Sequence, residues 1–69
     1  MPAPLHPMTA QQFREHQAAL GWSNDKLRER MRVHISTVEK WRSGVAAVPG
    51  PAAALLETIV ADELRARRG

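Results

Sequence analysis

No cysteine occurs among the 69 residues of this chain. That single absence excludes a disulfide scaffold, a thiolate zinc site and a cysteine nucleophile. Long hydrophobic runs are missing too. The longest unbroken apolar stretch is Ala52 to Leu56, far short of the roughly 20 residues a membrane-spanning helix needs. The first dozen residues carry neither Lys nor Arg and no apolar core of a signal peptide, so no secretory leader is read there and a cytoplasmic location is expected. No stretch alternates polar and apolar residues with period two, no segment repeats, and there is no glycine-rich loop to cradle a phosphate. His6, His16 and His34 share no metal-ligand spacing, and no serine, histidine and acid set can be assembled from so few residues. A chain of this size has little room for a pocket. The reading is a non-enzyme with no metal, cofactor or small-molecule ligand.

What is present is modest. Hydrophobic residues make up 43%, and eleven of them are alanines, leaving nineteen larger apolar side chains for a core. That is enough for one domain, which at this length buries only about 60% of its unfolded surface and gains from pairing with another chain.

The chain is basic, with a net charge of +3, and the excess is localised. Residues 1–23 and 45–69 are each balanced, so all of it lies in 24–44. There Lys26, Arg28, Arg30, Arg32, Lys40 and Arg42 face only Asp25, Glu29 and Glu39. Clustered positive charge favours a polyanion, because neutralising phosphates releases counterions. A solvated charged surface without a partner has the same composition.

Helix signals recur along the chain. Met1 to Met8 holds three prolines and reads as a flexible arm without the Arg or Lys that groove-following arms use. Thr9 is a good N-cap and Gln12 completes a capping box, so a helix is expected over 10–20 with Gly21 as its stop. Ser23 caps a second helix over 24–31, whose apolar positions are Leu27 and Met31. After a break of about three residues, in which His34 can act as a cap, a third helix is expected over 35–43, ended by Gly44. Val38 and Trp41 form its inward line, and Trp22 is a packing residue. Val45 to Gly50 reads as a loop, and a fourth helix, started by Pro51, is expected over 52–66 with a tail after it. The class is all-α, a compact bundle of four to five helices.

Two short helices joined by about three residues, the second with a polar outer face, is a helix-turn-helix layout over 24–43. The stretch Leu20-Gly21-Trp22-Ser23-Asn24, then Leu27, Met31 and Val33, then Ser36-Thr37-Val38-Glu39-Lys40-Trp41-Arg42-Ser43-Gly44 resembles the Cro/CI, lambda-repressor-like family. Val48-Pro49-Gly50-Pro51 and the Ala-Leu helix after it look like small stand-alone phage or prophage members, including compact autorepressors of the anti-CRISPR-associated kind. The sequence departs from the pattern twice. Arg28 stands where the family has a small residue at the helix crossing, and Arg32 stands at a turn position often held by Gly.

The resemblance implies a lambda-repressor-like domain over 9–66 that binds near-palindromic double-stranded DNA as a transcriptional repressor. Helix 35–43 would enter the major groove with His34, Ile35, Ser36, Glu39 and Lys40 toward the base edges. Lys40 suits guanine O6 and N7, Ile35 a thymine methyl, Ser36 several bases, and Glu39 cytosine N4. Asn24, Arg28, Thr37, Arg42 and Ser43 would meet the sugar-phosphate backbone. Arg28 would run its stem along the helix crossing and place its guanidinium on a phosphate.

Helix 52–66 carries two apolar lines, Leu55 with Ile59, and Leu56 with Val60 and Leu64. So small a domain buries one line more easily than two, and Leu56, Val60 and Leu64 are expected to form a homodimer interface. An alternative from another class is an antitoxin-like module that binds a partner protein through the same helix, with DNA contact secondary. Basic residues Arg65, Arg67 and Arg68 complement the helix dipole and need no partner.

Overall fold

The computed structural model describes residues 7–68 and contains four α-helices. They are α1 (Ala10–Leu20), α2 (Asn24–Met31), α3 (Ile35–Ser43) and α4 (Gly50–Arg68). The all-α class holds. The first three helices have the expected limits because local chemistry sets them. At α1, the Thr9 hydroxyl accepts from the Gln12 amide at 3.1 Å and the Gln12 side chain accepts from the Thr9 amide at 3.0 Å, satisfying two orphan donors together. Gly21 closes the helix at φ 70°, in the left-handed region that glycine enters without a Cβ penalty. The Ser23 hydroxyl accepts from the Lys26 amide at 3.1 Å to start α2.

Arg32 ends α2 at φ 60° and ψ 47°, the one non-glycine residue with positive φ among those described. The Val33 amide donates to the Arg28 carbonyl at 3.0 Å and the Arg32 amide to the Glu29 carbonyl at 3.3 Å, a Schellman closure. The turn is therefore left-handed at the position where the resemblance places glycine, built here at the strain of an L side chain. His34 then caps α3, its Nδ1 accepting from the Ser36 amide at 3.1 Å.

The fourth helix differs from expectation at both ends. Ala53 N–H donates to the Pro49 carbonyl at 2.9 Å, so the helix begins at Gly50 rather than Ala52. Pro51 is tolerated because first-turn N–H groups lack helical partners in any case. At the other end α4 runs through Arg67 and Arg68, which were expected in a tail. Arg67 donates to the carbonyls of Ala19 at 3.1 Å and Leu20 at 2.6 Å. It thereby satisfies acceptors at the C-terminus of α1, so it has a structural partner beyond the dipole of its own helix.

The core sits where α1 packs on α3 and α4, and α2 on α3. Phe13 and Trp41 meet edge to face, their ring centres 5.7 Å apart, the arrangement aromatic quadrupoles favour. Leu20, Leu27, Val38 and Leu56 are fully enclosed around them. Trp22 is 8% exposed, with Lys26 Nζ 4.9 Å and Arg30 Cζ 5.1 Å from its ring centre. These cations shield the ring as cation–π partners.

Two expectations are corrected. The arm expected over 1–8 lies outside the described residues for 1–6, and Met8 is not part of any arm. Its side chain is buried, and its amide donates to the Val48 carbonyl at 3.1 Å in a single antiparallel bridge. The dimer line on α4 is also reassigned. Leu56 is 0% exposed and Val60 9%, so both face this chain's own core and neither is free for a second copy. Leu64 remains at the margin, and Leu55 is the more open side chain. Both lines have i,i+4 spacing, and only packing against α1 and α2 decides which is covered.

Candidate nucleic-acid interface

The α3 helix is one-sided. Val38 and Trp41 are buried, Glu39 and Lys40 are exposed, and Ile35, Ser36 and Thr37 are half-buried at its N-terminal turn. His34 is exposed just before them. Of the five residues expected at base edges, His34, Ile35 and Ser36 lie at the start of α3, and Glu39 and Lys40 are exposed in its middle. Three of them are tied locally or lie free. His34 Nδ1 holds both the Ser36 amide and the Ser36 hydroxyl, the latter at 2.9 Å, which orders the side chains at the helix start. Lys40 Nζ has no ion pair among the described residues, and its backbone carbonyl accepts from Gly44 at 3.1 Å to close the helix.

The residues expected on the sugar-phosphate backbone behave differently from one another. Asn24, the first residue of α2, and Arg42, near the end of α3, are brought together by Gln17 of α1. The Gln17 side chain is buried; its Nε2 donates to the Trp22 carbonyl at 3.0 Å and to Asn24 Oδ1 at 2.8 Å, while its Oε1 accepts from Arg42 Nη1. Arg14, one turn before Gln17, donates to the Arg42 carbonyl at 2.5 Å. Helix α1 therefore grips Arg42 by its side chain and its backbone. Thr37 lies in the first turn of α3, its amide donating to the His34 carbonyl at 3.0 Å. The Ser43 hydroxyl is engaged at the helix end, donating to the Lys40 carbonyl at 3.2 Å and accepting from the Val45 amide at 3.4 Å.

Arg28 is half-exposed on α2, and its Nε is 2.9 Å from Asp25 Oδ1 on its own helix. A phosphate has to compete with that carboxylate, an exposed pair worth little in itself. Arg30 stands over Trp22 and 3.9 Å from Glu63 of α4, so it braces α2 against α4. Of the six cations in 24–44, Arg32 and Lys40 have no ion pair, aromatic partner or side-chain hydrogen bond among the described residues, and Arg42 is held by Gln17 without an ion pair. The net positive charge of the segment is concentrated on the α2–α3 unit, which is where a polyanion would be attracted.

Gln17 and Arg14 were not legible as parts of this site. The sequence places Gln17 on the inward face of α1 between Phe13 and Leu20, and a buried glutamine needs partners. That requirement was the available signal, but it does not say which partners.

No family model matches the chain, and no curated protein and no solved structure matches it either. Among the described residues no three His, Asp or Glu side chains gather to hold a metal ion, and no helix is long and apolar enough to cross a membrane.

Proposed function

We propose that this chain is a sequence-specific double-stranded DNA-binding regulator of transcription, of the small phage or prophage repressor type, in which α3 enters the major groove. One observation carries the reading. Helix α3 spends its Val38–Trp41 line on the core and leaves the face with Glu39 and Lys40 open, after a three-residue turn from α2 that opens on the left-handed Arg32. A helix held on one side by a partner helix and polar on the other is the form that fits a groove about 12 Å wide. Lys40 and Ser36 supply hydrogen bonds to base edges and Ile35 an apolar contact, while Asn24, Arg42, Thr37 and Arg28 set register on phosphates. Bound at an operator, such a protein represses by occupying the site, its own operon included. A two-fold dimer would place two α3 helices about 34 Å apart, matching an inverted repeat. The large apolar side chains that α4 leaves exposed are Leu55 and Leu64, and Ile59, one turn after Leu55, is half-buried against the core.

The test is selection from a random duplex pool at physiological salt followed by sequencing. Enrichment of an inverted repeat supports both the regulator and the dimer. A single short unpaired site keeps DNA binding and removes the dimer, and retention with no enriched sequence reduces the basic segment to nonspecific attraction.

The open position of Leu55, 44% exposed on α4, supports a second reading, an antitoxin-like module whose α4 docks on another protein. Salt separates the two. Phosphate contacts make log K fall steeply with log salt, whereas an apolar interface barely responds.

A further inference from the structure

We infer that Gln17 is the positioning residue of the backbone contact, orienting Asn24 and Arg42 into one donor-only pair aimed at a phosphodiester of duplex DNA. The inference rests on the DNA reading above and adds a residue that makes no contact with DNA itself. Its basis is the bookkeeping of donors and acceptors around one buried amide.

Both N–H groups of Gln17 Nε2 are used, on the Trp22 carbonyl and on Asn24 Oδ1, and its Oε1 accepts from Arg42. Only one orientation of the Gln17 amide works. Turned over, Oε1 would face two acceptors and Nε2 would face a guanidinium that has only donors. The Trp22 carbonyl sets this choice, because a backbone acceptor cannot turn into a donor. The orientation then propagates. Asn24 has to offer Oδ1 to Gln17, which leaves Nδ2, the donor limb of the same planar group, without a partner among the described residues. Arg42 spends one of its five N–H groups on Gln17 and keeps four. Two half-buried side chains, from the start of α2 and the end of α3, are thereby left with donors only.

That outcome selects a ligand. A phosphodiester presents acceptors alone, as among base edges only guanine N7 and O6 do, so a donor-only pair that holds every duplex alike fits the backbone. Charge-assisted donors held in advance also bind without a further ordering cost. Without Gln17, Asn24 is free to present Oδ1 outward, where it repels a phosphate, and Arg42 loses its tether.

The experiment measures binding of a random-sequence duplex across a salt series for the wild type, Gln17→Met, Arg42→Ala and the double variant. Fold is checked for each by circular dichroism and urea unfolding. The expected result is that folded Gln17→Met binds about tenfold more weakly on every duplex, the scale of a lost charge-assisted hydrogen bond. The double variant loses less than the product of the two single losses, because part of the Gln17 effect passes through Arg42 and the rest through Asn24. Losses that simply multiply, or unchanged affinity in folded Gln17→Met, overturn the inference while DNA binding stands. A wild type that binds no duplex at low salt removes the DNA reading and this inference with it.

Gln17→Glu keeps the proposal testable should the methionine variant unfold. It has the same shape and retains an acceptor for Arg42, but it offers Asn24 no donor and neutralises the guanidinium. Its salt slope is expected to fall by about one phosphate contact, and a wild-type slope and affinity in this variant contradict the role assigned to Gln17.

Discussion

Met8 and Val48 are joined by a backbone hydrogen bond of 3.1 Å, and both side chains are buried in the same core. The bridge links the segment before α1 to the segment before α4, so the two helices are held at their N-terminal ends as well as along their packed faces. Removing buried methionine atoms costs transfer energy and leaves a cavity. Met8→Ala is expected to lower unfolding stability by about 2 kcal/mol or more, read by urea denaturation. A loss near zero would return Met8 to a dispensable arm.

Arg32 tests the turn. At φ 60° an arginine carries a left-handed conformation that glycine adopts freely. Arg32→Gly is expected to change stability in the favourable direction by up to about 1 kcal/mol, the larger backbone entropy of glycine offsetting part of the relief. Arg32→Val is expected to destabilise, since a β-branched residue is a poor fit to positive φ. Thermal unfolding of the two variants reads both signs. Equal midpoints for Gly and Val would mean that the turn is not left-handed in solution.

Arg67 and Arg68 are neighbours with different partners. Arg67 donates to the Ala19 and Leu20 carbonyls, while Arg68 has no hydrogen bond or ion pair among the described residues. Arg67→Ala is expected to cost about 1 kcal/mol, a typical net value for hydrogen bonds near solvent, and Arg68→Ala to stay within about 0.5 kcal/mol of wild type. The comparison controls for charge, because each variant removes one cation from the same helix end. Equal effects would reduce Arg67 to a dipole interaction.

How much of this was readable in advance depends on the range of the interactions. The limits of α1 and α3 and the start of α2 follow from signals within four residues: Thr9 with Gln12, Ser23 with Lys26, His34 with Ser36, and stops at Gly21 and Gly44, whereas α2 ends at Arg32, which is no stop residue. The one-sidedness of α3 follows from the spacing of Val38 and Trp41. The start of α4 was hidden because Pro49-Gly50-Pro51 carries turn signals that serve equally well as a helix start. The burial of Leu56 in preference to Leu55, the anchoring of Met8 and the junction of Gln17 with Arg42 all depend on contacts between distant parts of the chain. No local pattern encodes which of two equivalent lines meets a neighbouring helix. For the candidate interface, the outer face of α3 was legible and the α1 residues that brace it were not.

Lys40 and Arg42 separate reading from holding. Lys40 is exposed on the outer face of α3, and Lys40→Ala is expected to cost about 1–3 kcal/mol on the selected site and to relax its preference at one base pair. Arg42→Ala is expected to weaken all duplexes alike. Binding measured on the selected duplex and on single-base variants distinguishes them. A uniform loss for Lys40, or a loss confined to one sequence for Arg42, would reverse the assigned roles.

Leu55 and Leu56 are adjacent in α4 and are rotated by about 100° from each other, so one faces the core and the other is open. Leu56 is fully enclosed and Leu55 is 44% exposed. Leu56→Ala is therefore expected to cost about 3 kcal/mol of folding stability, a large share of what a domain this small has. Leu55→Lys is expected to leave monomer stability within about 0.5 kcal/mol and to weaken self-association, because it places a charge on the apolar line shared with Ile59. Sedimentation equilibrium of wild type and Leu55→Lys at matched concentrations reads the difference. A dimer that dissociates in the variant places the two-fold contact on the outer line of α4. A dimer of unchanged affinity moves the contact away from that line, to the exposed Val45 or to Leu64. A wild type that stays monomeric at high micromolar concentration removes the homodimer off DNA and leaves Leu55 for a different protein, the outcome the second reading requires.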